Sequence, residues 1–282
     1  MAQDRVGSYR LLNMIRAGST CEVWEVMNDV KGERLALKLL SGQHARNKDE
    51  IAFLKHECQV ARGMDHPNVI KIHDVGADAG YVYMAMELFA TPNLKQLILQ
   101  GIEPLLPLAP TIIHTAGEGL AYFHSLGWVH RDIKPDNFLV DKTGKAKLID
   151  FALAVKKKGG FGRLFSVKTK IQGTRSYMSP EQIRGQALDQ RADLYSFGCM
   201  IYELLGGKPP FTGSTTNELL NKHLRSAIPP LQGANRNVSD AFAQLVKSML
   251  AKNPAERPDS MADFLREMHG ISIFKVPPAG MK

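Results

Sequence analysis

The strongest constraint on this 282-residue chain is a change of hydrophobic period near residue 90. Before it, YRLLNMI from Tyr9, EVWEVMN from Glu22 and RLALKLL from Arg34 alternate or run apolar between glycine-containing turns, as strands with one buried face do. One segment breaks that rhythm. Across Asp49 to Gly63, the residues Ile51, Leu54, Cys58 and Ala61 recur at helical spacing, and Gly63 is placed to end a helix. Strand signal resumes in VIKIHDV and YVYMAMEL. From Asn93 onward the period is helical, with long segments predicted over Ala109–Leu126, Ala192–Leu205 and Ser239–Leu250. The pattern predicts a strand-rich part followed by a helical part, with a cleft between them as the default ligand site.

With 44% hydrophobic residues the chain can bury a large core without covalent staples. Its three cysteines, Cys21, Cys58 and Cys199, lack CxxC spacing, which argues against a disulfide framework or a zinc site and for a reducing compartment. MAQDRVGSYR offers no apolar signal-peptide core, and runs such as CMIYELLGG are too short to span a bilayer. A cytoplasmic, soluble location is therefore expected, with no membrane contact within the chain. The formal charge of +8 raises nucleic acid as a partner, but its distribution argues otherwise. Seven basic and no acidic residues fall between Phe151 and Pro180, which accounts for nearly the whole excess, and no reading element for bases is visible.

The chemistry concentrates in HRDIKPDN, His130 to Asn137, followed by the strand FLV, the turn DKTGK, the strand AKLI and then DFA at Asp150 to Ala152. An isolated Asp or Asn is ordinarily a turn residue or helix cap. Asp132, Lys134, Asn137 and Asp150 together at this spacing are not. The stretch resembles the catalytic loop and metal-binding motif of the eukaryotic-type (Hanks-type) serine/threonine protein kinases, and the resemblance runs in order from about Ser8 to Met268. It implies an α+β, bilobal protein-kinase fold. Residues 1–86 would form the small strand-rich N-lobe with one key helix, 87–92 the hinge, 93–270 the larger helical C-lobe, and 271–282 a frayed tail or the start of a linker.

The same resemblance implies transfer of the γ-phosphate of ATP, with Mg²⁺, to Ser or Thr hydroxyls of protein substrates. Asp132 would accept the hydroxyl proton, Lys134 would hold the charge of the transferred phosphoryl, and Asn137 and Asp150 would bind the metal through hard oxygen ligands. Lys38, interrupting the apolar strand LALKLL, would sit on the α- and β-phosphates and pair with Glu57 rather than with Glu50, which stands in the helix's first turn. Val23, Ala36 and Leu139 would sandwich adenine, Met86 would back the pocket, and backbone groups of Glu87 to Phe89 would hydrogen-bond the base. Lys134 with Thr174 favours serine or threonine over tyrosine as acceptor. Glu181 would pair with Arg257, and Asp193 would brace the catalytic loop, beside a Tyr195 that replaces a more usual tryptophan.

Two departures from the family pattern support an alternative, a pseudokinase acting as a nucleotide-binding scaffold. In RAGSTCEVW the family's three loop glycines fall on Arg16, Gly18 and Cys21, so only the middle one remains. Glycine there lets backbone N–H groups approach phosphate, and its loss at the outer positions is expected to stiffen the loop and weaken nucleotide affinity. Ala152 stands where the metal-binding motif has glycine, which is expected to fix the turn. Arg131, preceding the proposed base, would grip a phosphorylated residue of the activation segment, with Thr169 the first candidate and Ser166 the second. Such modification would be autophosphorylation through transient self-association.

Overall fold

The computed structural model describes residues 5–157 and 173–281. The chain divides into two compact units, Met1–Thr91 with Ile149–Ala152, and Pro92–Leu148 with Leu153–Lys282. The strip 149–152 joins the first unit for a local reason. Phe151 is fully buried and donates its backbone N–H to Glu57 Oε1 at 3.3 Å.

In the first unit β1 (Arg5–Val6), β2 (Tyr9–Ala17), β3 (Glu22–Asn28), β4 (Glu33–Leu40), β5 (Ile72–Asp78) and β6 (Tyr81–Glu87) form one antiparallel sheet ordered β1-β2-β3-β4-β6-β5. Alternation sorts the strand residues between two cores. Leu35, Leu37, Leu39, Tyr83 and Ala85 join Val6, Tyr9 and Val26, while Leu40, Val82 and Met84 pack with Leu54 of helix α1 (Lys48–Ala61). Asn47 caps α1 by accepting from the N–H groups of Asp49 and Glu50, and both carboxylates lie at the positive end of the helix dipole. The strand predicted over VIKIHDV starts later and runs further, Ile72 to Asp78. Gly76 within it is required by packing, since a Cβ there would stand 2.4 Å from the Tyr83 hydroxyl.

The second unit holds α2 (Leu94–Gln100), α3 (Ala109–Ser125), β7 (Trp128–Val129), β8 (Phe138–Val140), β9 (Ala146–Leu148), β10 (Val155–Lys156), α4 (Pro180–Ile183), α5 (Gln190–Gly206), α6 (Thr216–Arg225), α7 (Leu231–Ala234), α8 (Asp240–Met249) and α9 (Met261–His269). Short ladders pair β8 with β9 and β7 with β10. Helix α5 is buried on every side from Ala192 to Leu205, so it serves as the axis around which the others pack. The stripe Ile112, Ile113, Ala116, Leu120 and Phe123 buries one face of α3. Residues 271–276 are pinned rather than frayed: Phe274 bridges Val238, Lys275 N–H donates to the Asn237 carbonyl at 2.7 Å, and Ile273 and Phe274 are buried. Among the described residues no helix is long and apolar enough to cross a membrane.

Candidate active site

In the first unit, register places Lys38 of β4 opposite Val23 and Met84, with its side chain on the α1 side of the sheet. Lys38 Nζ donates to Glu57 Oε2 at 2.7 Å and stands 3.9 Å from Asp150 Oδ1. Burial favours the neutral amine, but the Glu57 and Asp150 carboxylates outweigh it and hold the ammonium above the ordinary lysine value. Burial pushes the Glu57 carboxyl up, against the pull of Lys38. Glu50 bonds elsewhere, to His44 Nδ1 at 2.8 Å, so the helix presents Glu57 and not Glu50 to the lysine. Asp150 has a left-handed backbone (φ 67°), an uncommon state for a non-glycine residue. Ala152 carries no such strain, which explains how a methyl group is accommodated there.

The stretch RAGSTCEVW is a hairpin. Arg16 lies in β2 opposite Val23, and a four-residue connection from Gly18 to Cys21 is closed by Gly18 N–H donating to the Cys21 carbonyl at 2.9 Å. Gly18 is the position that needs a glycine, because a Cβ there would lie 2.8 Å from that same carbonyl oxygen. Ala36 is buried in β4 opposite Met86, which is half-buried. Glu87 donates its N–H to the Lys71 carbonyl at 2.8 Å, and the Phe89 carbonyl accepts from Thr91 N–H.

In the second unit Asp132 is held at both oxygens. Oδ1 accepts from Thr174 N–H at 2.8 Å, and Oδ2 accepts from Lys134 Nζ at 2.6 Å. Lys134 also reaches Thr174 Oγ1 at 2.7 Å. Asn137 donates its amide N–H₂ to the Asp132 carbonyl at 2.8 Å and to Oδ2 at 3.3 Å, which directs its Oδ1 away from this network. Leu139 follows in β8, half-buried and bridged to Asn93. Arg131 is buried in a left-handed conformation (φ 71°), and its Nε has no hydrogen-bond partner. Burial also lowers its pKa. Thr169 and Ser166 lie outside the described residues.

The loop is anchored from α5. Asp193 accepts from the N–H groups of His130 (2.7 Å) and Arg131 (2.8 Å) and from His124 Nε2 (2.8 Å). Burial would raise its carboxyl, but the His124 hydrogen bond and the neighbouring donors bring it below the ordinary value. Arg257 meets Glu181 through two bonds, Nη1 to Oε1 at 2.7 Å and Nη2 to Oε2 at 2.9 Å, with both side chains buried.

Several supporting residues carry no sequence signal. His124 lies at the end of an apolar helix, and Gln182, which donates to the Arg131 carbonyl at 2.9 Å, lies in an ordinary helix start. Glu203 is buried and takes the Tyr177 hydroxyl and Lys95 Nζ at 2.5 Å each. Only the capping pattern at Ser179 and Gln182 was available as a clue, and it predicts a helix start rather than a loop clamp.

Residues 9–268 match the protein kinase domain family. A probable serine/threonine-protein kinase of Streptomyces coelicolor is 33% identical over 266 residues, covering 92% of this chain and 39% of the relative. PrkC of Bacillus subtilis, a serine/threonine-protein kinase, is 30% identical over 91% of this chain and 39% of its own length. PknA of Mycobacterium tuberculosis, another, is 29% identical over 96% and 63%. The chain thus spans between about two fifths and three fifths of the length of these relatives. The match across residues 9–268 means that this chain belongs to the protein kinase domain family.

Proposed function

We propose that the protein transfers the γ-phosphate of ATP to serine or threonine hydroxyls of protein substrates. The observation that carries this reading is the Asp132 carboxylate, oriented by Thr174 N–H on one oxygen and Lys134 on the other. An acceptor fixed in this way can take the proton from an incoming hydroxyl, and an ammonium at the same spot can hold the charge that develops on the phosphoryl group. Lys134 with Thr174, which bond to each other at 2.7 Å, is the combination whose family resemblance implies a serine or threonine acceptor, in keeping with the names of the relatives.

Lys38, kept cationic and oriented by Glu57, would bind the α- and β-phosphates. The donor chemistry suits magnesium. Asn137 commits its N–H₂ to Asp132 and so offers an oxygen, and Asp150 offers a carboxylate beside Lys38. When bound, Mg²⁺ would neutralise phosphate charge. Val23, Ala36, Met86 and Leu139 would contact the base, with backbone of Glu87 to Phe89 hydrogen-bonding it and Gly18 at the tip of the phosphate loop. Arg131 would grip a phosphate placed on Thr169 or Ser166 by a second copy of the chain. A cytoplasmic location, where ATP and Mg²⁺ are both available, goes with this activity.

The test is incorporation of labelled phosphate into a generic basic protein with ATP and Mg²⁺, compared with Asp132→Asn. Signal from the wild type that disappears in the variant is expected; equal signal, or none from either, overturns the reading.

A further inference from the structure

Tyr195 is fully buried, and a phenol in that position needs a hydrogen-bond partner or pays for its lost water. The partner is His223 of α6, also fully buried, whose Nδ1 lies 3.0 Å from the Tyr195 hydroxyl. A neutral phenol can donate or accept, and because the Ser176 backbone favours a ring proton on the far side, the O–H donates and Nδ1 accepts. That fixes the tautomer, and the imidazole carries its one proton on Nε2. The Ser176 carbonyl lies where it favours a proton on the ring, yet Nε2 makes no hydrogen bond of ordinary geometry.

Ser176 belongs to the short turn Arg175–Tyr177 that follows Thr174, the partner of Asp132 and Lys134. Three other bonds hold this turn to α5 and α6. Ser196 Oγ donates to the Tyr177 carbonyl at 2.7 Å, the Tyr177 hydroxyl donates to Glu203, and Arg175 Nη1 donates to Thr216 Oγ1 at 3.4 Å. The ring of His223 meets Phe211 edge-on, 5.0 Å away, and Tyr195 at a tilt, 5.8 Å away. Two cations close the cluster: Lys252 sits over Phe211 at 4.1 Å and over Tyr195 at 5.8 Å, and Arg257, paired to Glu181, sits 4.9 Å over Tyr195. The imidazole cannot turn, so its N–H is aimed at the turn.

We infer that His223 is a positioning residue for the acceptor peptide: anchored to Tyr195 of α5 beside the turn 175–177, it holds one hydrogen bond in reserve, which closes on the turn when a peptide is seated. The inference rests on the proposed phosphotransfer.

The test compares wild type with His223→Leu, which removes both ring nitrogens, His223→Gln, which restores a side-chain N–H, and Tyr195→Phe. Peptide kinetics and hydrogen exchange across residues 173–178 are measured on each. Loss of the Nε2–H is expected to raise peptide KM roughly five- to tenfold in His223→Leu, with kcat and the KM for ATP nearly unchanged. His223→Gln should recover most of that loss, and exchange at 173–178 measured with peptide bound should quicken in His223→Leu. Tyr195→Phe should fall between the two. The inference is overturned if His223→Leu leaves both peptide KM and exchange unaltered, or if kcat and both KM values worsen together. A wild type without transferase activity would overturn the proposed function, and the exchange comparison would still decide whether His223 holds the turn.

Discussion

The catalytic-loop stretch His130–Asn137 and the hairpin Arg16–Val23 are both central to the proposed chemistry, yet they are fastened in different ways. Buried side chains hold the first at several points, with Asp193 accepting from two backbone N–H groups, Gln182 clamping the Arg131 carbonyl and Asn137 folding back on Asp132. The second is held by strand pairing and one bond across its tip. A group that must accept a proton in flight needs its angle fixed, and buried, charge-assisted bonds supply that. A loop that only covers phosphate uses backbone N–H groups, which survive a change of side chain as long as the backbone angles are ordinary. Asp132, Lys134 and Asn137, which follow the family pattern, lie in the firmly held stretch, whereas Arg16 and Cys21, which depart from it, lie in the hairpin.

Asp132→Asn should produce the largest effect, about 10²–10⁴ in turnover with the fold intact, because it removes the proposed proton acceptor from the firmly held region. A fall of less than tenfold in single-turnover rate would break the contrast. Arg257→Met comes next. It leaves the buried Glu181 carboxylate without its partner and should cost about 3–5 kcal/mol of stability in urea unfolding.

Acid should sharpen the comparison from the other direction. Burial, assisted by the nearby Lys252, lowers His223 to about 4 in the fold, whereas the unfolded chain regains an ordinary value near 6.5. Unfolded chains then bind the extra proton first, so the contribution is intact above about pH 6.5 and is lost as pH falls toward 4, up to about 3 kcal/mol. Denaturation midpoints measured from pH 7 to 4.5 should decline in the wild type and flatten in His223→Leu.

Gly18→Val tests the hairpin at its one demanding position. The new Cβ would crowd the Cys21 carbonyl, so ATP affinity by calorimetry should weaken by about 1–2 kcal/mol, roughly tenfold, with little change in thermal stability. Ala152→Gly should do least. Extra freedom in the unfolded chain costs about 0.4–1 kcal/mol, and exchange at the Phe151 amide should quicken only slightly.

Much of this was legible in the amino-acid order. Strand and helix periods showed where the sheet and the long helices lie, because one-sided burial writes itself at a fixed spacing. Glu57 could be preferred to Glu50 once the family resemblance called for a helix glutamate, because Glu50 stands in the first turn. His124, Gln182, Lys95 and His223 could not be found, because each acquires its role by meeting a residue distant in sequence, and a lone polar residue in an amphipathic helix has no local mark of the partner it will meet. The strand begins at Ile72, later than the pattern predicts, because Val69 and Ile70 are apolar for another reason. They are buried ahead of the strand.

Helix α5 carries Asp193, Tyr195 and Glu203 on one unbroken rod, about 15 Å from first to last along the axis. A one-residue deletion between them would swing the far end by about 100° and leave each of the loops it serves facing the wrong wall. The helix length therefore acts as a gauge for the loops packed against it, and a change in that gauge should be felt at all of them at once.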